Sequence, residues 1–96
     1  MSKHDEIAKK LAKMFVTEYK SQKGIDIVTK DRVIEVETKK GSIRQGIKQV
    51  EKSSKARYLA VNNQNVQNAI EATKDSGIGV MSERGKIVKR ASRKKQ

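Results

Sequence analysis

The chain lacks cysteine, proline and tryptophan, and it has one histidine among its 96 residues. The absence of cysteine excludes disulfides and thiolate metal sites, and a single histidine argues against a histidine-based zinc site or a Ser-His-Asp triad. Aromatic residues make up 3% of the chain, so stacking on single-stranded bases is not expected to dominate any binding. Any catalysis must therefore depend on carboxylates, lysines and hydroxyls.

Long apolar runs are also missing from the sequence. No stretch approaches the roughly 20 residues of a membrane-spanning helix, and the first residues, from Met1 to Asp5, do not open an apolar segment typical of a signal peptide. We therefore expect a cytoplasmic protein with no membrane partner. The apolar share of 34% is sufficient for one modest core.

Positive charge is present in excess. Lysine and arginine number 23 against 11 acidic residues, which gives a formal net charge of +12. Such a charge attracts a polyanion, and nucleic acid is the first partner to consider. We expect a single domain over residues 1–88. Residues 89–96 are rich in positive charge and have no apolar periodicity, so they are expected to form a disordered basic tail.

The spacing of apolar residues predicts an α/β fold. Ile7, Leu11 and Met14 indicate a helix over residues 4–15, and a β-branched and aromatic run at residues 15–19 favours a first strand. Later segments continue in order: a hairpin of strands at 25–28 and 33–37, a helix over 43–55, a strand at 57–61, a helix from Asn62 or Asn63 to Thr73, a strand at 78–81 and a last short strand at 86–88. A strand, a helix and another strand in succession favour parallel pairing.

The predicted hairpin places three carboxylates on one face. Side chains alternate between the faces of a strand, and residues across an antiparallel ladder pair by a constant sum. Either a two-residue or a four-residue turn pairs Val28 with Val33, and two residues further along it places Asp26 opposite Glu35. Glu37 projects from the same face as Glu35. The sequence therefore predicts that three acids lie close together.

Opposed carboxylates require compensation. Like charges across a ladder are destabilising, whereas opposite charges would gain roughly 0.2–1 kcal/mol, and partial burial beside valines raises the cost. Lysine or arginine partners are one answer, and a divalent cation is the other. Mg²⁺ fits because it takes one or two protein carboxylates and completes its shell with water and phosphate oxygens. The alternative is that the acids are ordinary charges on a solvated sheet face.

The order of Asp26, a short spacer and the run from Val33 to Lys39 resembles the PD-(D/E)xK nuclease superfamily, to which archaeal Holliday-junction resolvases and restriction enzymes belong. The likeness covers the chain from about Glu6 to Val61. It implies a restriction-endonuclease-like mixed sheet flanked by helices, with the element order α-β-β-β-α-β-α-β. Ile25 stands where the family motif has proline, and many members of the family lack this proline too.

The resemblance also implies roles for the hairpin residues. Asp26 and Glu35 would bind the divalent metal, which we expect to be Mg²⁺ with Mn²⁺ as a substitute. The third motif position helps to activate the attacking water, and it is usually a lysine. Here it is Glu37 if the motif is the E-x-E variant, which we prefer, or Lys39 if the motif begins two residues later. Lys39 can in either case contribute positive charge near the scissile phosphate.

Residues outside the hairpin complete the predicted site. In the superfamily an acid on the first helix often joins the metal ligands, and Glu6 is the first candidate here, with Glu18 behind it. Some relatives carry a glutamine that points to the active site from the helix after the motif. Gln49 falls at that place and Gln45 lies one turn earlier, although surface polarity explains both equally well. His4 is expected to be an exposed residue rather than a catalytic base.

Basic side chains are expected to hold the nucleic acid backbone. Contacts with phosphate give affinity that falls with salt and carry little sequence information. The predicted contacts are Ser42, Arg44 and Lys48 at the start of the helix after the hairpin, and Lys89, Arg90 and Arg93 in the tail. We expect a metal-dependent endonuclease that acts on duplex or branched DNA, as a homodimer if both strands are cut. The alternative is a non-catalytic, basic nucleic-acid-binding module, associated with chromatin or ribosomes.

Overall fold

A computed structural model describes residues 2–15 and 25–92 of the chain. In these residues five strands form one mixed sheet, and three α-helices pack on its two faces. The elements are α1 (Lys3–Met14), β1 (Ile27–Val28), β2 (Arg32–Glu37), α2 (Ile43–Val50), β3 (Ala56–Val61), α3 (Val66–Ala72), β4 (Gly79–Ser82) and β5 (Ile87–Lys89). Short 3₁₀ turns at Lys40–Ser42 and Asn63–Asn65 precede α2 and α3.

The first helix begins and ends at recognisable signals. The Ser2 hydroxyl accepts a hydrogen bond from the backbone N–H of Asp5 at 3.1 Å, which satisfies one of the free N–H groups in the first turn. Phe15 is the C-cap. The prediction of a helix over residues 4–15 is therefore confirmed to within one residue at each end. The rest of the first strand predicted at 15–19 lies outside the described residues.

The sheet has the strand order β1-β2-β3-β4-β5. The hairpin β1-β2 is antiparallel with Val28 opposite Val33, which confirms the predicted register. The pairs β2-β3 and β3-β4 are parallel, and each is joined through a helix, as the alternating pattern predicted. The pair β4-β5 is antiparallel. Glu37, Val61 and Ser82 stand side by side at the end of the parallel strands, which we call the carboxyl edge, and the opposite end is the amino edge.

Each face of the sheet has its own apolar cluster. On one face, α1 packs Ile7 and Leu11 against buried residues of strands β1 to β4, which include Ile34 and Met81. On the other face, α2 and α3 bury their apolar residues against Leu59 and its neighbours. Because both faces are covered, a charged side chain on the middle strands is held away from bulk water. Glu35 and Glu37 project from the same side of β2 as Val33, which is the α2 and α3 face, whereas the Asp26 side chain also reaches His4 of α1.

Among the described residues, the element order differs from the prediction after β4. The described elements run α-β-β-α-β-α-β-β, so the sheet ends with a β4-β5 hairpin that the expected order omitted, although the short strand at residues 86–88 was anticipated. Lys89 belongs to β5 and not to a tail, because it pairs with Val80 of β4. The backbone N–H of Ser92 still donates to Gly77 at 2.9 Å. Among the described residues, no helix is long and apolar enough to cross a membrane.

Candidate functional site

Three carboxylates lie together at the hairpin. Asp26, Glu35 and Glu37 are 7%, 8% and 9% exposed. Glu35 and Glu37 are two residues apart on β2 and therefore project from the same face. Asp26 lies in the bend directly before β1, within hydrogen-bond distance of the Glu35 carboxyl group. The spatial grouping derived from the sequence is present in the structure.

Two backbone hydrogen bonds fix the positions of the opposed acids. The backbone N–H of Asp26 donates to Glu35 Oε1 at 2.9 Å, and the backbone N–H of Val36 donates to Asp26 Oδ2 at 2.9 Å. Each side chain thus uses one oxygen to hold the neighbouring strand. Because both bonds are buried, they restrict the rotamers of the two carboxylates, and the second oxygen of each acid is set in a defined place.

His4 is a member of the site that the sequence reasoning missed. Its Nε2 atom lies 3.0 Å from Asp26 Oδ2. Glu6, the predicted first-helix acid, is exposed. A helix turns about 200° over two residues, so Glu6 projects from nearly the opposite side of α1 to His4. The signal available in the sequence was that the only histidine lies in the first turn of a predicted amphipathic helix.

Glu37 contacts the start of α2. A Cβ atom at Gly46 would lie 2.8 Å from Glu37 Cγ and 2.9 Å from its Oε2, so the helix backbone passes directly over this side chain. The Ser42 hydroxyl donates to the Lys39 carbonyl oxygen at 2.9 Å, and it is near enough to the Glu37 carboxyl group to lower the pKa of that group. One hydroxyl proton can serve only one of these acceptors at a time. Glycine inside a predicted helix, which costs about 1 kcal/mol relative to alanine, was the signal for this close approach.

Burial and mutual repulsion perturb the ionisation of the acids. Burial, together with the charges of Asp26 and Glu37, raises the pKa of Glu35 to about 8. Burial also raises the pKa of Glu37 above its usual value, and a hydrogen bond with Ser42 partly offsets that rise. Glu35 is therefore largely protonated at neutral pH and hydrogen-bonds with Asp26. The proton reduces the repulsion between the two acids.

The donor set fits a cation that needs few protein ligands. In residues 2–15 and 25–92, no three histidine, cysteine, aspartate or glutamate side chains form a ready-made metal-binding group. Asp26 and Glu35 each keep one oxygen that the two backbone bonds do not use. Mg²⁺ usually binds one or two protein carboxylates and takes the remaining oxygens from water and substrate. The residues present fit this two-carboxylate arrangement and not a fully protein-ligated site.

The other predicted site residues on the hairpin side are exposed. Lys39 follows the end of β2, and Arg44, Lys48 and Gln49 lie on the solvent side of α2. The α2 residue that touches Glu37 is Gly46 and not Gln49, because Gly46 lies on the buried side of the helix. The structure thus places a basic surface on α2, whereas it does not bring Gln49 to the carboxylates.

The predicted contacts in the tail require a correction. The Lys89 ammonium group is held inside the fold by hydrogen bonds to three acceptors near the end of α3, so it is engaged by the protein itself. Arg90 is exposed, but β5 runs from the carboxyl edge to the amino edge and carries it away from the acids. Arg93 lies outside the described residues. The exposed basic residues that the β4-β5 turn places at the carboxyl edge are Arg84 and Lys86, which the sequence reasoning did not single out.

Comparison with known proteins adds no relative. No model of a known protein family matches the chain, and searches of curated proteins and of solved structures found no match. The resemblance to PD-(D/E)xK nucleases therefore depends on the motif residues, their spacing and the order of elements from about Glu6 to Val61.

Proposed function

We propose that this chain is a metal-dependent DNA endonuclease of the PD-(D/E)xK type, with a restriction-endonuclease-like fold. The observation that carries the proposal is the opposition of Asp26 and Glu35, whose carboxyl groups are buried together while burial and repulsion raise the pKa of Glu35 to about 8. Two adjacent acids kept in so unfavourable a state are characteristic of functional sites. The net charge of +12 supports a polyanionic substrate.

Each acid has a distinct part in the proposed reaction. Asp26 and Glu35 would hold Mg²⁺, or Mn²⁺ in its place, through the oxygens that the backbone bonds leave available. The metal, when bound, polarises the phosphate and lowers the pKa of a coordinated water. Glu37, which burial makes a stronger base by raising its pKa, would accept the proton of the attacking water. Exposed Lys39 lies beyond the strand end and attracts the scissile phosphate.

The basic surface positions the substrate around these acids. Arg44 and Lys48 on α2, and Arg84 and Lys86 in the β4-β5 turn, are exposed. Contacts of this kind with phosphate make binding strongly dependent on salt. Cutting both strands of a duplex requires two sites, which we propose are supplied by a two-fold homodimer. A DNA substrate also fits an intracellular location, which we include in the proposal.

The test is cleavage of duplex, flap and four-way-junction DNA by the purified chain in Mg²⁺, with EDTA as the metal-free control. Asp26→Asn and Glu35→Gln should each lower the cleavage rate more than about 100-fold, a larger loss than removal of an outer hydrogen-bond partner, and DNA affinity should change little. Glu71→Gln, an exposed acid near the end of α3, is the matched control and should cleave normally. Unchanged cleavage by the Asp26 and Glu35 variants would remove both residues from the mechanism.

Proton release gives a second readout that does not depend on cleavage. Because Glu35 holds a proton below about pH 8, Mg²⁺ binding at neutral pH should release about one proton per site, and the affinity for Mg²⁺ should increase as the pH rises. Calorimetric titration in buffers of different ionisation enthalpy measures this number. Binding of Mg²⁺ without proton release would mean that the metal does not displace the Glu35 proton.

A non-catalytic nucleic-acid-binding module is the second candidate. The observation in its favour is that the acids already have partners within the fold, since His4 and the backbone N–H of Val36 both contact Asp26 Oδ2. In that case the acids only join α1 to the hairpin. Salt-sensitive DNA binding with no cleavage of any substrate, and no release of protons on addition of Mg²⁺, would favour this candidate.

A further inference from the structure

The segment from Asn62 to Asn68 has a composition unlike the rest of the chain. Six of its seven residues are asparagine or glutamine, and none is charged, in a protein where 35% of residues are charged. It joins β3 to α3 and includes the 3₁₀ turn Asn63–Asn65. We call it the amide segment. Solvation alone does not require carboxamides here, since lysine and arginine serve that purpose elsewhere on this surface.

Three of the carboxamides are used to hold the segment in place. Asn65, which is 7% exposed, donates from Nδ2 to the Thr38 carbonyl oxygen at 3.0 Å and to Asn62 Oδ1 at 2.7 Å. Asn68 donates in turn to Asn65 Oδ1 at 3.2 Å. The spacing of three residues brings these side chains to the same side of the turn. The network attaches the amide segment to the residue that directly follows Glu37.

The carboxamides between them face solvent. Asn63 and Gln64 are exposed, and the backbone N–H of Asn63 donates to Glu83 Oε2 at 3.4 Å, which connects the 3₁₀ turn to the β4-β5 turn as well. Their backbone is therefore held on two sides, whereas their side chains extend outwards. Rigid support beneath exposed hydrogen-bonding groups is the arrangement that a recognition surface needs.

The amide segment lies beside the carboxylates. Glu37 pairs with Val61, and the segment starts at the next residue along β3. Adjacent strands are about 4.8 Å apart, so the exposed turn is within roughly 10 Å of the end of β2. Basic residues stand on both sides of it, with Arg44 in the first turn of α2 and Arg84 in the β4-β5 turn. An uncharged surface thus interrupts the basic surface next to the acids.

We propose that Asn63 and Gln64 contact base edges of the DNA held at the carboxylates and give the protein a base preference, strongest for adenine. This inference rests on the proposed function for the position of the DNA. Phosphate contacts from charged residues hold the duplex without reading its sequence, and base contacts specify it. A carboxamide carries one donor and one acceptor in the geometry that matches N7 and N6 of adenine in the major groove.

The experiment is a binding selection with the full chain in EDTA, on a duplex library that has a randomised central window, followed by sequencing of the bound pool. Wild-type protein should enrich adenine at one or two positions by about fivefold or more, the lower end of what one bidentate base contact provides. The double variant Asn63→Ala/Gln64→Ala should lose the enrichment and keep its overall affinity within about threefold, because phosphate contacts dominate affinity. Gln67→Ala, an exposed carboxamide further along α3, is the matched control and should keep the enrichment.

Three outcomes overturn the inference: no binding to the library, binding without base preference, or a preference that survives in the double variant. A parallel cleavage assay separates this result from the proposed nuclease function. A base preference in a protein that cleaves nothing would support the base contacts of Asn63 and Gln64 and contradict the nuclease function. Cleavage with no base preference would support the nuclease function and contradict the base contacts. Thermal melting of each variant checks that it is folded.

Discussion

The two edges of the sheet differ in how they stabilise charged side chains that are shielded from water. At the amino edge, the Arg57 guanidinium donates to the carbonyl oxygens of Glu51 and Ser76 at 3.0 and 3.1 Å. The Lys89 ammonium donates to Thr73 and Ile78 at distances of 2.7 to 3.0 Å. Glu51 and Thr73 are the C-caps of α2 and α3, where helix carbonyls lack partners and cations are favoured. Ser76 and Ile78 lie in the connection between α3 and β4. The chain itself satisfies these cations.

At the carboxyl edge, acids are buried against one another. Asp26 and Glu35 each accept a hydrogen bond from one backbone N–H group. Burial, with added repulsion from Asp26 and Glu37, raises the pKa of Glu35. Burial also raises the pKa of Glu37. The cations at the amino edge therefore have hydrogen-bond partners within the fold. The acids at the carboxyl edge instead repel one another unless a proton or an external cation neutralises part of their charge.

The largest effect on stability should come from the amino edge. Arg57→Met removes two charge-assisted hydrogen bonds and leaves two carbonyl groups without a donor, so the free energy of unfolding should fall by about 3 kcal/mol. Urea denaturation of wild type and variant measures the difference. Glu35→Gln, at an equally buried position of the carboxyl edge, should cost less than about 1 kcal/mol at neutral pH because the protein already holds Glu35 uncharged there. Equal losses for the two variants would contradict the contrast between the edges.

The next effect is a loss of stability with rising pH. The pKa of Glu35 is about 8 in the folded protein and 4.5 ordinarily, so between these values the folded state holds a proton that the unfolded state has released. The free energy of unfolding should therefore fall as the pH rises from about 4.5 to about 8, by about 2 kcal/mol once water's access to the site is allowed for. Above that pH, Glu35 should add no further loss.

Urea denaturation in EDTA across this range measures the pH effect. Subtracting the profile of Glu35→Gln removes the contributions of other groups, and Glu71→Gln, whose side chain is exposed, should reproduce the wild-type profile. If stability in wild type stays level or rises relative to Glu35→Gln over the window, the Glu35 carboxyl group is not held protonated by the fold. Mg²⁺ should restore stability most at the alkaline end, where it no longer competes with a proton.

The hairpin could be predicted from the sequence, and its surroundings could not. The opposition of Asp26 and Glu35 follows from the two-residue period of strands and the length of one turn, which are local properties. The contacts of His4 and Gly46 depend on how α1 and α2 dock on the sheet, which strand period and turn length do not determine. Lys89 was assigned to a tail because its neighbours are charged, whereas its long apolar stem lets the ammonium group reach three acceptors inside the fold.

The smallest effect on stability should accompany a specific change at Glu37. In Gly46→Ala, the new methyl group would lie 2.8 Å from Glu37 Cγ and 3.0 Å from Leu59 Cδ2, so the flexible Glu37 side chain must move. The gain in helix propensity, about 1 kcal/mol, should offset most of this cost, and stability should change by less than about 1 kcal/mol. The cleavage rate should nevertheless fall by about tenfold, because a displaced proton acceptor loses its alignment with the attacking water.

Gly41→Ala is the control for this substitution, since a Cβ there meets no atom within 4 Å. It should leave both stability and cleavage close to wild type. Glu37→Gln should reproduce the loss of cleavage in Gly46→Ala, because both remove a correctly placed carboxylate. Gly46→Ala and Glu37→Gln could instead both cleave at the wild-type rate while Lys39→Ala does not. In that case Lys39, and not Glu37, fills the third motif position, and Asp26 and Glu35 are the only carboxylates of the carboxyl edge that the reaction needs.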